Sequence, residues 1–72
     1  MKDELLLKIG QNIRYHRLRQ NMSQEELAFS ASLNLNSIST IERGINNIKI
    51  KNLHKISKAL NIKLFDLLEN ID

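Results

Sequence analysis

The sequence has no cysteine, no proline and no tryptophan, only two glycines, and aromatic side chains at 4% of its 72 positions. Without cysteine there can be no disulfide and no thiolate zinc site, and the chain suits a reducing compartment. Without proline, and with Gly10 and Gly44 as the only glycines, nothing marks a linker; there is no low-complexity tract and no internal repeat. The apolar runs are short, Leu5 to Leu7 and Leu67 to Leu68 among them, against the roughly 20 residues that a membrane span needs. Met1 is not followed by a charged leader, an apolar run and a small-residue cleavage site, so a cytoplasmic protein without membrane association is expected. His16 and His54 fall on different predicted helices with no carboxylate at ligand spacing. Neither a metal centre nor a nucleophilic site assembles from them, and no enzyme, metal or cofactor is expected.

What is present is an ordinary globular composition, 42% hydrophobic and 26% charged, which reads as one small domain over residues 1–72. So short a chain buries only about 60% of its unfolded surface. Its core is marginal, and a partner or a second copy is an expected source of stability. The formal charge is +3, so the placement of charge matters more than its sum. From Leu5 to Gln24 there is no acid, while Lys8, Arg14, Arg17 and Arg19 lie inside. Lys49, Lys51, Lys55, Lys58 and Lys63 make a second acid-free basic segment. Such charges are either solvated faces or contacts to an anionic partner.

The apolar spacing is helical. Leu6, Ile9 and Ile13 share one face of a first helix from about Asp3 to Gln20, which Asn21, tolerant of the left-handed conformation, ends. Ser23 with Glu26 is a capping box, and Met22 with Leu27 a hydrophobic staple, so a second helix begins at Gln24. The following serines and asparagines prefer caps and turns, which predicts a break near Ser32. Asn34 then caps a third helix, about Leu35 to Arg43, with Leu33 and Ile38 as a staple and Gly44 as the stop. Leu53, Ile56 and Leu60 form a fourth stripe after the Ile45 to Lys49 loop, and Leu64 to Leu68 a short fifth helix. The Ile48 to Lys51 alternation is too short and unpartnered for a sheet. The fold class is all-α: a compact five-helix domain.

Helices two and three are each about two turns with a connection of about three residues, so they must cross steeply. Such a crossing packs Ile38 and Ile41 and leaves Leu35, Asn36, Ser39 and Thr40 projecting outward. That face is small, uncharged and rich in hydrogen-bonding groups, which suits base edges in a major groove.

Ser23-Gln24-Glu25-Glu26-Leu27-Ala28, then Leu33, Ile38-Ser39, Ile41-Glu42-Arg43-Gly44, and finally Leu53, Ile56 and Ala59-Leu60, closely resemble the Cro and phage-repressor type of helix-turn-helix domain over about Ile9 to Leu68. Small size and the Asn46-Asn47 loop make the chain look most like the controller proteins of restriction-modification systems. The resemblance implies a lambda-repressor-like fold, with the helix-turn-helix at about 24–43, and a transcriptional regulator of double-stranded DNA. It gives Leu35, Asn36, Ser37, Ser39 and Thr40 as the base-contacting set. Asn36 is suited to adenine and Leu35 to a thymine methyl, unless Leu35 only packs against helix two. No arginine precedes Arg43 on that helix to read guanine, so an A·T-rich contacted site is expected. Gln24, Arg43, Asn46, Asn47, Lys49 and Lys51 are the backbone-contacting set, although Asn46 and Asn47 match positions that touch either DNA backbone or bases. Gln24 alternatively buttresses a base-reading residue or is a plain first-turn residue, and Arg43 alternatively complements the negative end of its helix. Lys55 and Lys58 are expected to face solvent, and His16 to be a partly buried structural residue. Arg17 and Glu42 match a structural salt bridge, and Ala28 the closest approach of helices two and three.

Two departures stand out. Ser32 occupies the usual glycine position, so the turn must reach positive φ without that residue. The usual proline and N-cap serine before helix four are replaced by Ile48 and Lys49, which points to a frayed start or to Asn47 as the cap.

Leu64, Phe65, Leu67, Leu68 and Ile71 are more apolar than one face of a two-turn helix needs. They are expected either to form a homodimer through a region of about 60–72 or to complete the monomer core. A symmetric dimer would set two recognition helices about 34 to 36 Å apart and so require a near-palindromic operator. No inducer domain is present, so no small-molecule effector is expected. The rival reading is a protein-interaction module such as an antitoxin that also represses its own operon. The wealth of Ile, Asn and Lys hints at an A·T-rich bacterial or phage genome.

Overall fold

The computed structural model describes residues 3–70, which form four α-helices and a closing 3-10 helix. Helix α1 spans Glu4–Arg19, α2 Gln24–Ser30, α3 Leu35–Glu42, α4 Ile50–Ala59, and the 3-10 helix η1 Leu64–Leu68. The fifth helix expected from the sequence is thus a tighter, shorter-ranged turn.

Local chemistry sets most boundaries. The Asp3 carboxylate accepts from the Leu5 and Leu6 N–H groups at 3.0 and 3.2 Å and starts α1. Ser23 Oγ accepts from Glu26 N at 3.0 Å while Glu26 Oε1 accepts from Ser23 N at 2.8 Å, the reciprocal box that opens α2. Asn34 Oδ1 accepts from Ser37 N at 2.7 Å and opens α3. The chain leaves α1, α2 and α4 through left-handed residues, Asn21 at φ 55°, Ser32 at 56° and Asn61 at 56°. Asparagine takes this conformation at little cost, whereas serine at Ser32 stores strain that glycine would not. The start of α4 differs from both expectations for it. Its N-cap is Lys49, already in extended geometry but with no side-chain bond to the helix. Asn47 is not the cap, because it lies two residues before the cap position.

Eleven apolar residues close the core: Ile9 and Ile13 of α1, Leu27, Ala28 and Ala31 around α2, Ile38 and Ile41 of α3, Leu53, Ile56 and Leu60 around α4, and Leu67 of η1. Met22 and Leu33 pack against them as staples. Two glycines permit backbone contact that any larger residue would block. A Cβ on Gly10 would sit 2.5 Å from the Ile41 carbonyl oxygen and 2.6 Å from that of Glu42, so α1 lies directly against the end of α3. Gly44, at φ 71°, brings the chain after α3 to within 2.6 Å of Leu7 Cα by the same measure. The middle of α1 also holds η1. Asn12 Nδ2 donates to the Leu67 and Glu69 carbonyls at 2.9 and 3.0 Å, which turns Leu67 inward.

Candidate nucleic-acid interface

Each residue of α3 turns the helix by about 100°, and with Ile38 and Ile41 fully or nearly buried the opposite arc is fixed. Asn36, Ser39 and Thr40 occupy its centre, with Arg43 in line beyond them. Leu35, 44% exposed, forms one edge. Ser37, half-buried, lies on the other flank. Gln24, Asn34, Leu35, Asn36 and Ser39 together line an open concavity between the start of α2 and the start of α3. Leu35 presents a partly exposed apolar edge beside amides and a hydroxyl.

A buried ion pair holds this face in place. Arg17 Nε donates to Glu42 Oε2 at 2.7 Å and Nη2 to Oε1 at 3.0 Å, while Nη1 donates to the Met22 carbonyl at 2.8 Å. Both side chains are nearly dry, at 9% and 3% exposure. The fork fixes the end of α3 against α1, and Gln24 extends it: its Nε2 donates to Glu42 Oε1 at 3.1 Å. Gln24 is thereby anchored at the edge of the concavity that it lines.

At the far end of α3 the Thr40 hydroxyl lies 3.0 Å from the Asn36 carbonyl and 3.1 Å from that of Ser37, and it accepts from Asn46 Nδ2 at 3.1 Å. Arg43 folds back, Nε donating to the Ser39 carbonyl at 3.3 Å, in keeping with a cation at the negative end of a helix. Asn46, Asn47, Lys49 and Lys51 follow on an exposed ribbon from the end of α3 into α4. From Arg43 to Phe65 the chain carries no acid, so this segment is net positive. Lys55 and Lys58 are exposed on α4.

The carboxyl-terminal apolar group divides. Phe65 is 74% exposed and Leu68 37%, and Leu64 is half-buried against the core. Leu67 corrects the expectation of an interface residue, being 0% exposed within the monomer. Ile71 lies outside the described residues.

Three features escape the sequence reading: the Gln24 bond to Glu42, the Thr40 tie to Asn46, and the close approach at Gly10. Only the last leaves a sequence signal, a glycine inside a helix where alanine would be about 1 kcal/mol better. Among the described residues no cluster of His, Cys, Asp and Glu could hold a metal, and no helix is long and apolar enough to cross a membrane.

A family model described as helix-turn-helix matches residues 13–67. The chain is 47% identical over 70 residues to the control protein C.BamHI of Bacillus amyloliquefaciens, covering 96% of this chain and 86% of that one. It is similar in structure to the restriction-modification controller protein C.AhdI of Aeromonas hydrophila, with TM-score 0.85 and 37% identity over 86% of this chain and 94% of the other. It is also similar to C.Esp1396I in a nucleoprotein complex, with TM-score 0.81 and 39% identity over 89% and 87% of the two chains.

Proposed function

The chain belongs to the helix-turn-helix family, and from that premise we infer that it is a sequence-specific regulator of transcription, a controller protein of a restriction-modification system that binds double-stranded DNA as a homodimer. The observation that carries this reading is the outward arc of α3. Asn36 and Ser39 stand there as uncharged hydrogen-bonding groups on a helix whose rear face is locked by Ile38, Ile41 and the buried Arg17–Glu42 pair. A solvated helix face would ordinarily carry charge; one shaped to read base edges carries amides, hydroxyls and an apolar edge for a thymine methyl.

The parts divide accordingly. The chain acts as one domain, with α2 and α3 as the reading unit at about 24–43 and the region of about 60–72 as the dimer contact. Asn36, Leu35 and Ser39 face bases, with Ser37 at the margin. Gln24, Arg43, Asn47, Lys49 and Lys51 lie along the phosphates. Phe65 and Leu68 supply the exposed apolar surface that a second copy covers, with Leu64 beneath them. Two-fold symmetry then sets the recognition helices about 34 to 36 Å apart, one turn of DNA, and the operator is near-palindromic. The protein works in the bacterial cytoplasm, where its DNA is, and its control is by its own concentration through dimerisation, without a small-molecule effector or cofactor.

Selection of binding sites from random duplex DNA tests this. The expected winner is two-fold symmetric and biased to A·T at the contacted positions. No enrichment, or enrichment of an asymmetric site, would contradict it.

A further inference from the structure

A threonine hydroxyl has one proton and two lone pairs. The two carbonyls beside Thr40 Oγ1, of Asn36 at 3.0 Å and of Ser37 at 3.1 Å, are acceptors only, so the proton is committed to the backbone of α3. The remaining neighbour is the Asn46 carboxamide, at 3.1 Å. With the hydroxyl proton directed elsewhere, only an N–H can face this oxygen; the reversed amide would set two acceptors against each other. While this bond is made, the orientation of the exposed Asn46 side chain is set, Nδ2 toward α3 and Oδ1 away from it. The backbone beneath it is held as well, since Gly44 N donates to the Ile41 carbonyl at 3.0 Å and Ile45 N to that of Thr40 at 3.2 Å.

On a phosphate, whose oxygens only accept, the outward Oδ1 has no partner and only the second Nδ2 N–H could be used. In the major groove its partners are the exocyclic amines of adenine and cytosine, and an amide that offers an oxygen together with its second N–H matches adenine. On the DNA-binding reading above, we propose that Thr40 is a positioning residue which turns the Asn46 carboxamide so that its oxygen meets the N6 amine of an adenine. Asn46 is then a base reader rather than a phosphate contact, and Thr40 contributes to specificity through Asn46 without donating to DNA itself.

The test replaces each adenine of the selected operator in turn by purine, which lacks the N6 amine, and measures affinity for five proteins. The wild type is expected to lose about tenfold at one position per half-site that the Asn46→Ala variant no longer senses. Thr40→Val keeps the shape and removes the hydroxyl; it is expected to lose sensitivity at that same position, and Thr40→Ser to restore it. Combining Thr40→Val with Asn46→Ala is expected to cost no more than Asn46→Ala alone, the mark of two residues acting as one. Thermal melts of the variants confirm that each is folded. The proposal is overturned if Thr40→Val retains full sensitivity at the Asn46 position, or if Asn46→Ala weakens all duplexes equally, as loss of a phosphate contact does. A wild-type protein that selects no sequence at all overturns the DNA-binding reading itself, and this proposal with it.

Discussion

At the scale of single residues, the Arg17–Glu42 pair shows how a charge can serve geometry more than stability. Desolvating two ions costs several kcal/mol, so a dry pair is a weak stabiliser, yet breaking it leaves one buried charge unmatched. Glu42→Ala is therefore expected to destabilise the fold by about 3–5 kcal/mol, much of what a domain of this size possesses. Replacing both partners, Arg17→Met with Glu42→Leu, should cost far less in a denaturant melt but still weaken operator binding, because Gln24 loses the Glu42 oxygen it donates to at 3.1 Å. Equal destabilisation by the single and double changes would count against this. The pair can be matched from the sequence only by resemblance, since its members are 25 positions apart. The Gln24 bond is beyond sequence reasoning because a glutamine in a first helical turn is compatible with any of several partners.

Elements whose ends are set by neighbours in sequence can be read in advance; those set by docking cannot. Ser23 and Glu26 announce α2 because both halves of the box lie within three residues. The turn at Ser32 is likewise visible in the run of serines and asparagines. Leu64, Phe65, Leu67 and Leu68, in contrast, are apolar on every side of a short segment, and it is docking on α1 and α4, with Asn12 holding the Leu67 and Glu69 carbonyls across more than 50 residues, that turns Leu67 to the core. The start of α4 offers a further prediction. Lys49 has N-cap geometry without a cap bond, so Lys49→Ser should supply one and raise stability by about 1 kcal/mol. The same change removes a cation from the ribbon proposed to lie along the phosphates, so the melt should improve while operator affinity falls and becomes less dependent on salt. An unchanged affinity would take Lys49 off the phosphate-contacting set.

At the scale of the whole molecule, the proposed function requires two copies to meet, so that the cations of residues 43–51, α3 and the exposed apolar end act together. Phe65, 74% exposed, contributes little to the monomer core. Phe65→Asp is expected to yield a folded monomer by circular dichroism and sedimentation, with operator affinity reduced by the loss of simultaneous binding to two half-sites. Leu67→Ala, at a fully buried position, should instead cost about 2–5 kcal/mol and unfold much of the population. A Phe65→Asp protein that remains dimeric would move the interface elsewhere. The central claim is that α3 reads sequence while the flanking cations supply affinity. Its most direct test is to measure wild type and Asn36→Ala on the selected operator and on an unrelated duplex across about 50 to 200 mM salt. The expected result is a loss of roughly 5- to 150-fold per half-site on the operator alone, with the unrelated duplex and both salt slopes unchanged. If Asn36→Ala weakens the two duplexes alike, or weakens neither, α3 is not the reading helix.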